Sequence, residues 1–245
     1  MTVGRNQITL IGALAERPIL TETRGGIDRT LFTIAGNQDG LTTDGRPRPI
    51  TWRHRISIVG PHAENLASLD PGTILLAQGT LRSRDHIQED GSRRQRIEVY
   101  GHRAQTTPHP GRLTTDTEGR HYLEGSTNQV TLEGNLARDM ETRHTQAGVP
   151  VARSTIVTNL PDPHDPENTE PQFIPIILWG ELAERHQDTL KGARLYLQGL
   201  YLPDNFINSQ GEKIYRTVVE ATDAHVLEQP APHHTPHAES HHYPT

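Results

Sequence analysis

The run NQITLIGALA at residues 6–15 returns as NQVTLEGNLA at residues 128–137. Asn, Gln, Thr, Leu, Gly, Leu and Ala all recur, each 122 positions on. The spacing continues without a gap: Thr23 meets Thr145, Gly26 meets Gly148, and TIAGN (33–37) meets TIVTN (155–159). Twelve of the 32 positions from 6 to 37 are identical. After a loop two residues longer in the first copy the spacing becomes 120. Ile56, Gly60, Ala63, Glu64, Gly72, Leu75, Gln78, Gly79, Gly91, Arg96 and Val99 then meet identical residues. A match this long and ordered is an internal duplication, and it decides the architecture before any single motif does.

Each copy reads as a small β-rich unit. Gln7–Leu14 alternates polar and apolar residues, the pattern of a half-buried strand. Ile27–Ala35 and Ile50–Val59 are further strands, the latter with Ile56 and Ile58 on one face. His62–Leu69 is a short helical patch stopped by Asp70-Pro71-Gly72. Thr73–Arg84 and Arg94–Val99 are strands joined by a hairpin around Glu89-Asp90-Gly91. The order β-β-β-α-β-β predicts a mainly β protein of two tandem OB-folds, five-stranded Greek-key barrels each with a short helix. The expected divisions are 1–105, a linker at 106–125, 126–228, and a disordered His- and Pro-rich tail at 229–245. Within the linker, Arg112–Thr115 and Arg120–Leu123 flank Asp116–Gly119 and suggest a small hairpin.

The net charge of −6 hides an asymmetry. Residues 1–105 hold 14 Arg against 11 Asp and Glu, whereas residues 126–228 hold 8 Lys and Arg against 15 Asp and Glu. The first copy is basic and the second acidic. Lys191 and Lys213 are the two lysines of the chain, so arginine supplies the remaining cations. Its planar guanidinium suits bidentate contacts to phosphate. With no Cys there is no disulfide framework or thiolate metal site. No stretch is long and apolar enough to span a membrane, and the N-terminus does not read as a signal peptide; a cytoplasmic, nucleoid-associated location is expected. The glycines form no phosphate-binding loop ahead of a helix, and the carboxylates, Ser and His show no catalytic arrangement. No enzyme activity, cofactor or bound metal is expected. His233, His234, His237, His241 and His242 of the tail read as solvated.

NQVTLEGNLARDMETRHTQAGVPVARSTIVTN (128–159) resembles the opening of bacterial single-stranded DNA-binding proteins. WRHRISIVGPHAE (52–64) and FIPIILWGELAE (173–184) are similar to the family's second block. LKGARLYLQG (190–199) and the hairpins His86–Gly91 and Phe206–Gly211 are similar to the blocks that follow. Two such units in one chain resemble the Deinococcus–Thermus branch, in which a homodimer supplies four OB-folds. The resemblance implies sequence-independent binding of single-stranded DNA, in replication, recombination and repair. The end of the chain, AESHHYPT, departs from the acidic tip by which the family recruits repair and replication enzymes, and leaves that partnership open. A duplicated OB-fold interaction module with weak or lost DNA binding, or an RNA- or oligosaccharide-binding OB protein, is the alternative that the fold allows.

Binding single strands without sequence preference calls for a cationic groove along the backbone and flat side chains on which bases stack. The first copy concentrates both. Trp52, Arg53, His54 and Arg55 share one strand; Arg82 and Arg84 alternate on the next, so both point to one face. Arg93, Arg94 and Arg96 follow the hairpin, Tyr100 closes the last strand, and His86 stands where the family has a hairpin tryptophan. In the second copy Phe173 and Phe206 match positions that stack bases in the family, with Tyr215, Lys213 and Arg216 near the hairpin and Arg153 on its second strand. The loop LPDPHDPENTEPQ (160–172) is rich in carboxylates, which repel phosphate.

Overall fold

The structure is a computed structural model that describes residues 4–41, 47–87, 93–161, 168–207, 213–214 and 216–230. Of residues 41, 85–87, 93–94, 206–207 and 213–214 it describes the backbone alone. In chain order the first copy holds β1 (Arg5–Leu14), β2 (Ile19–Glu22), β3 (Asp28–Leu41), β4 (Pro47–Val59), α1 (Ala63–Ala67), β5 (Ile74–Ile87) and β6 (Arg93–Thr106). β7 (Leu113–Thr115) and β8 (His121–Glu124) follow. The second copy holds β9 (Thr127–Leu136), β10 (Glu141–His144), β11 (Pro150–Pro161), β12 (Thr169–Trp179), α2 (Gly180–Arg185), β13 (Arg194–Pro203), β14 (Phe206–Ile207), β15 (Lys213–Ile214) and β16 (Thr217–Glu228).

Period-two alternation builds these strands. In β4, Ile50, Trp52, His54, Ile56 and Ile58 turn inward while Thr51, Arg53 and Arg55 turn to solvent. The five long strands of the first copy close on themselves. β1 pairs with β5, β5 with β6, β6 in parallel with β4, β4 with β3, and β3 with β1 through Ala13↔Ala35. The second copy closes identically, β9–β13–β16–β12–β11–β9, the last pair being Leu136↔Ile156. Each is a five-stranded OB-fold barrel. Leu10, Leu14, Ile34, Ile56 and Leu75 fill the first core; Leu132, Leu136, Ile156, Ile174 and Leu195 fill the second.

Closure needs a bend. The ladder slips between Gln78 and Gly79, and again between Gln198 and Gly199. A Cβ on Gly79 would run into the Tyr100 carbonyl oxygen, and one on Gly199 into that of Glu220. Both bulges therefore require glycine, which is why the duplication retains it. The short strands β2 and β10 were not expected. Each folds back onto its neighbour through a Thr-to-Gly turn, with Gly26 at φ +71 and Gly148 at φ +78.

β1 and β9 join the barrels antiparallel, from Arg5↔Glu133 to Ile11↔Thr127, centred on Ile8↔Val130. Ile8 and Val130 are equivalent residues of the duplication, so this seam is a pseudo-two-fold within one chain. Equivalent asparagines repeat the symmetry. Asn6 Nδ2 donates to the Leu81 carbonyl (2.8 Å) and Asn6 Oδ1 accepts from Leu81 N (2.9 Å). Asn128 does the same to Tyr201 (2.7 and 3.1 Å). Each amide satisfies the backbone just past a bulge, where the ladder cannot.

The hairpin expected in the linker is present as β7 and β8. Asp116 Oδ1 caps its turn, accepting from Glu118 N and Arg120 N at 2.9 Å each. β8 lies parallel to β3, and Leu123 is fully buried. The segment is thus an extension of the first barrel's sheet.

Candidate nucleic-acid interface

The pleat divides the sequence block WRHR between two surfaces. Trp52 is 1% exposed and His54 4%. Their rings stack on each other (centroids 5.4 Å apart) inside the protein, and His54 lies 4.5 Å from the ring of Tyr201 across the seam. This corrects the expectation that Trp52 and His54 face a strand of nucleic acid. The parity that places Ile56 and Ile58 in the core places them there too. Burial pulls the His54 pKa down to about 4, so the ring is neutral at pH 7. Asn128 Nδ2 stands 3.2 Å from His54 Nε2, which accepts in the neutral ring.

Arg53 and Arg55 face outward. On the neighbouring strands the cross-strand pairs Arg84↔Arg96, Arg82↔Glu98 and Thr80↔Tyr100 place these side chains on the same outer face. The parallel pair Ser57↔Tyr100 joins β4 to that face. Arg84 and Arg96 are exposed; Arg82 is buried against the sheet with its guanidinium carbon 4.6 Å from the Tyr100 ring centroid. That cation–π contact holds the Tyr100 ring against Arg82. Three adjacent strands thus carry arginines on the same face as a half-buried tyrosine. The backbones of His86, Arg93 and Arg94 continue this hairpin through His86↔Arg94 and Ile87↔Arg93, but their side chains lie outside the described residues.

Carboxylates from elsewhere in the chain reach these cations. Arg53 pairs with Asp116 of the β7–β8 turn at 3.1 Å, and turn hydrogen bonds led by that from Arg120 N hold Asp116 down to about 2. Glu170 of β12 approaches Arg84 at 3.4 Å and Arg82 at 3.7 Å. The same strand brings Phe173, 39% exposed, against the first barrel: its N donates to Ser83 Oγ at 3.3 Å, and Ser83 N donates to Gln172 Oε1 at 2.8 Å. The backbone of Phe173 in one copy therefore lies against the strand of the other that carries Arg82 and Arg84.

The second barrel's corresponding face has changed sign. At a spacing of 120, Arg84 is matched by Asp204 and Tyr100 by Glu220. Asp204 holds Arg153 (2.7 Å) and Arg216 (2.8 Å), and these two guanidiniums keep it ionised against the cost of its burial. Burial raises the Glu220 pKa, and Trp179 hydrogen-bonds to it. Arg216 and Arg153 line a groove of about 390 Å3 with Arg138 and Arg143, which sequence reasoning had not singled out, and with Glu141, which pairs with both of the latter. The side chains of Phe206 and Lys213, and all of Tyr215, lie outside the described residues; the backbones of β14 and β15 pair as Phe206↔Ile214 and Ile207↔Lys213.

Two joined OB-fold barrels, one presenting a face of outward arginines around a tyrosine, define a tandem OB-fold protein with a cationic binding face. The single-strand binding protein family matches twice, over residues 5–107 and 127–227, and the chain belongs to that family. It is 34% identical over 223 residues to a single-stranded DNA-binding protein of Thermus thermophilus, covering 90% of this chain and 84% of that one. To the single-stranded DNA-binding protein of Deinococcus radiodurans it is 32% identical over 231 residues, 93% of this chain and 77% of that one. The crystal structure of the wild-type single-stranded DNA binding protein from Thermus aquaticus superposes with a TM-score of 0.71 at 27% identity, over 94% of this chain and 95% of that one.

Proposed function

We propose that this protein binds single-stranded DNA without sequence preference and coats strands exposed during replication, recombination and repair. The observation that carries the reading is the outer face of β4, β6 and β5, where Arg53, Arg55, Arg84 and Arg96 share one face with Tyr100 in a chain of the single-strand binding family. Arginines track the phosphates and Tyr100 offers a stacking ring. Phe173 adds a second ring from the other copy. The reading includes no catalytic step. Each barrel covers on the order of 4–16 nucleotides, and two chains associate to bring four barrels together. In this reading the binding units are residues 1–105 and 126–228, joined at 106–125 and followed by a tail at 229–245, and the protein works in the cytoplasm on the nucleoid.

Because Trp52 is buried, anisotropy of a labelled oligo(dT) is a better probe than intrinsic fluorescence. Affinity is expected to fall steeply with salt, with a logarithmic slope of about −0.7 per phosphate neutralised, and duplex DNA of equal length is expected to compete poorly. No binding at low salt would overturn the proposal, and preference for poly(U) over oligo(dT) would make the substrate RNA.

A further inference from the structure

Between the barrels lies a crevice of about 460 Å3 that neither copy forms alone. Ile97 of the first copy and Pro175 and Pro203 of the second make its apolar walls. Arg96 and Arg216 line it from opposite copies, and they are equivalent residues of the duplication, so the crevice lies at the pseudo-two-fold. The two sides are tied together at this point: the Tyr201 hydroxyl donates to the Ile97 carbonyl at 2.6 Å and lies 2.7 Å from Thr217 Oγ1. Arg216 is itself fixed by Asp204.

Its neighbours give the crevice a direction. Arg96 is the cross-strand partner of Arg84, at the end of the first barrel's basic face. Arg216 and Pro175 also line the arginine groove of the second barrel. Guanidiniums therefore line both sides of the crevice, Arg96 from the first copy and Arg216 from the second, and Arg216 is shared with the second barrel's groove. We propose that the crevice seats one nucleotide of a bound single strand, its base against Ile97 and the two prolines and its phosphates between Arg96 and Arg216, where the strand crosses from one barrel to the other. A volume of this size suits a ligand of nucleotide dimensions, and a site with apolar walls and two guanidiniums suits one that is flat, apolar-faced and anionic. The inference rests on the single-strand reading above and adds to it a path and a site.

The test is an exposed substitution at the rim. Asn205→Trp fills the crevice with a side chain anchored outside both cores. Affinity is compared for an oligo(dT) of about 10 nucleotides, which one barrel can cover, and one of about 30, which must cross. The expected result is a loss of about tenfold on the long oligonucleotide, the worth of roughly one stacked base, with the short one little affected. Pro203→Asp provides a second variant, which leaves the first barrel's face intact and sets a carboxylate in the crevice wall against phosphate, and the same length dependence is expected of it. Equal losses at both lengths, or no loss at either, would overturn the crossing site while leaving single-strand binding in place. Failure of the unsubstituted protein to bind either oligonucleotide would instead remove the reading beneath it.

Discussion

Asp204 holds in the second barrel the position that Arg84 holds in the first, 120 residues earlier, and clasps Arg153 and Arg216 where Arg84 meets Glu170. One position with opposite charge turns two copies of one fold into unequal surfaces. The first barrel offers cations outward. The second ties two of its cations to a carboxylate of its own.

Asp204→Asn is expected to release Arg153 and Arg216, strengthening binding of long oligo(dT) by several-fold and making the salt slope more negative by about 0.7 for each phosphate gained. Short oligonucleotides, held by the first barrel, should respond little. Anisotropy titrations at three or four salt concentrations measure both quantities.

Trp52 and Arg55 are three residues apart on one strand and should fail differently. Trp52→Ala removes a fully buried side chain and is expected to cost about 3–5 kcal/mol of stability, visible as a lowered denaturation midpoint. Arg55→Ala should leave stability within about 0.5 kcal/mol, weaken DNA binding and flatten the salt slope by about 0.7. A stable Trp52→Ala protein with selectively lost binding would contradict the inward placement.

Glu170→Gln is expected to raise affinity for single strands by a fewfold at low salt, because phosphate no longer displaces a carboxylate from Arg84. The Arg84–Glu170 pair is partly exposed, so its loss should change folding stability by no more than about 1 kcal/mol. Unchanged affinity across the salt series would show that Glu170 does not compete with phosphate.

His54 makes stability depend on pH. Its folded pKa of about 4 lies below the ordinary value of 6.5, so the unfolded chain binds the extra proton first. Stability is therefore full above pH 6.5 and declines as pH falls toward 4, by at most about 3 kcal/mol across that window. The second copy has Ile174 at the equivalent position. His54→Ile should flatten the dependence, since Asn128 Nδ2 keeps its bond to the Tyr201 carbonyl. Urea midpoints at pH 7, 5.5 and 4.5 for both proteins make the comparison.

Much of the site was legible in parity. Arg82 and Arg84 were read onto one face by alternation, and both reach Glu170. Applied one strand earlier, the same count from Ile56 and Ile58 sends Trp52 and His54 inward, because successive side chains on a strand point to opposite faces. The charge reversal at Asp204 and the carboxylate in place of a tyrosine at Glu220 were also present in the 120-residue register, visible once positions rather than identities are compared. Arg138 and Arg143 carried no such signal. They lie outside the strands read as binding strands; the folding of β10 onto β11 brings Arg143 to the groove of Arg153 and Arg216, and the β9–β10 connection brings Arg138.

The duplicated pattern by itself determined two β units, their strand order and the glycines at the bulges, because alternation and close backbone approach are local demands that each stretch must meet alone. Which surfaces face each other was decided in three dimensions. The β1–β9 pairing sets the barrels about a pseudo-two-fold, lays Phe173 against Ser83 and Glu170 beside Arg84 some ninety residues away, and opens the crevice between Arg96 and Arg216. Such contacts join residues that no local pattern relates, and they exist only once the closed barrels have docked.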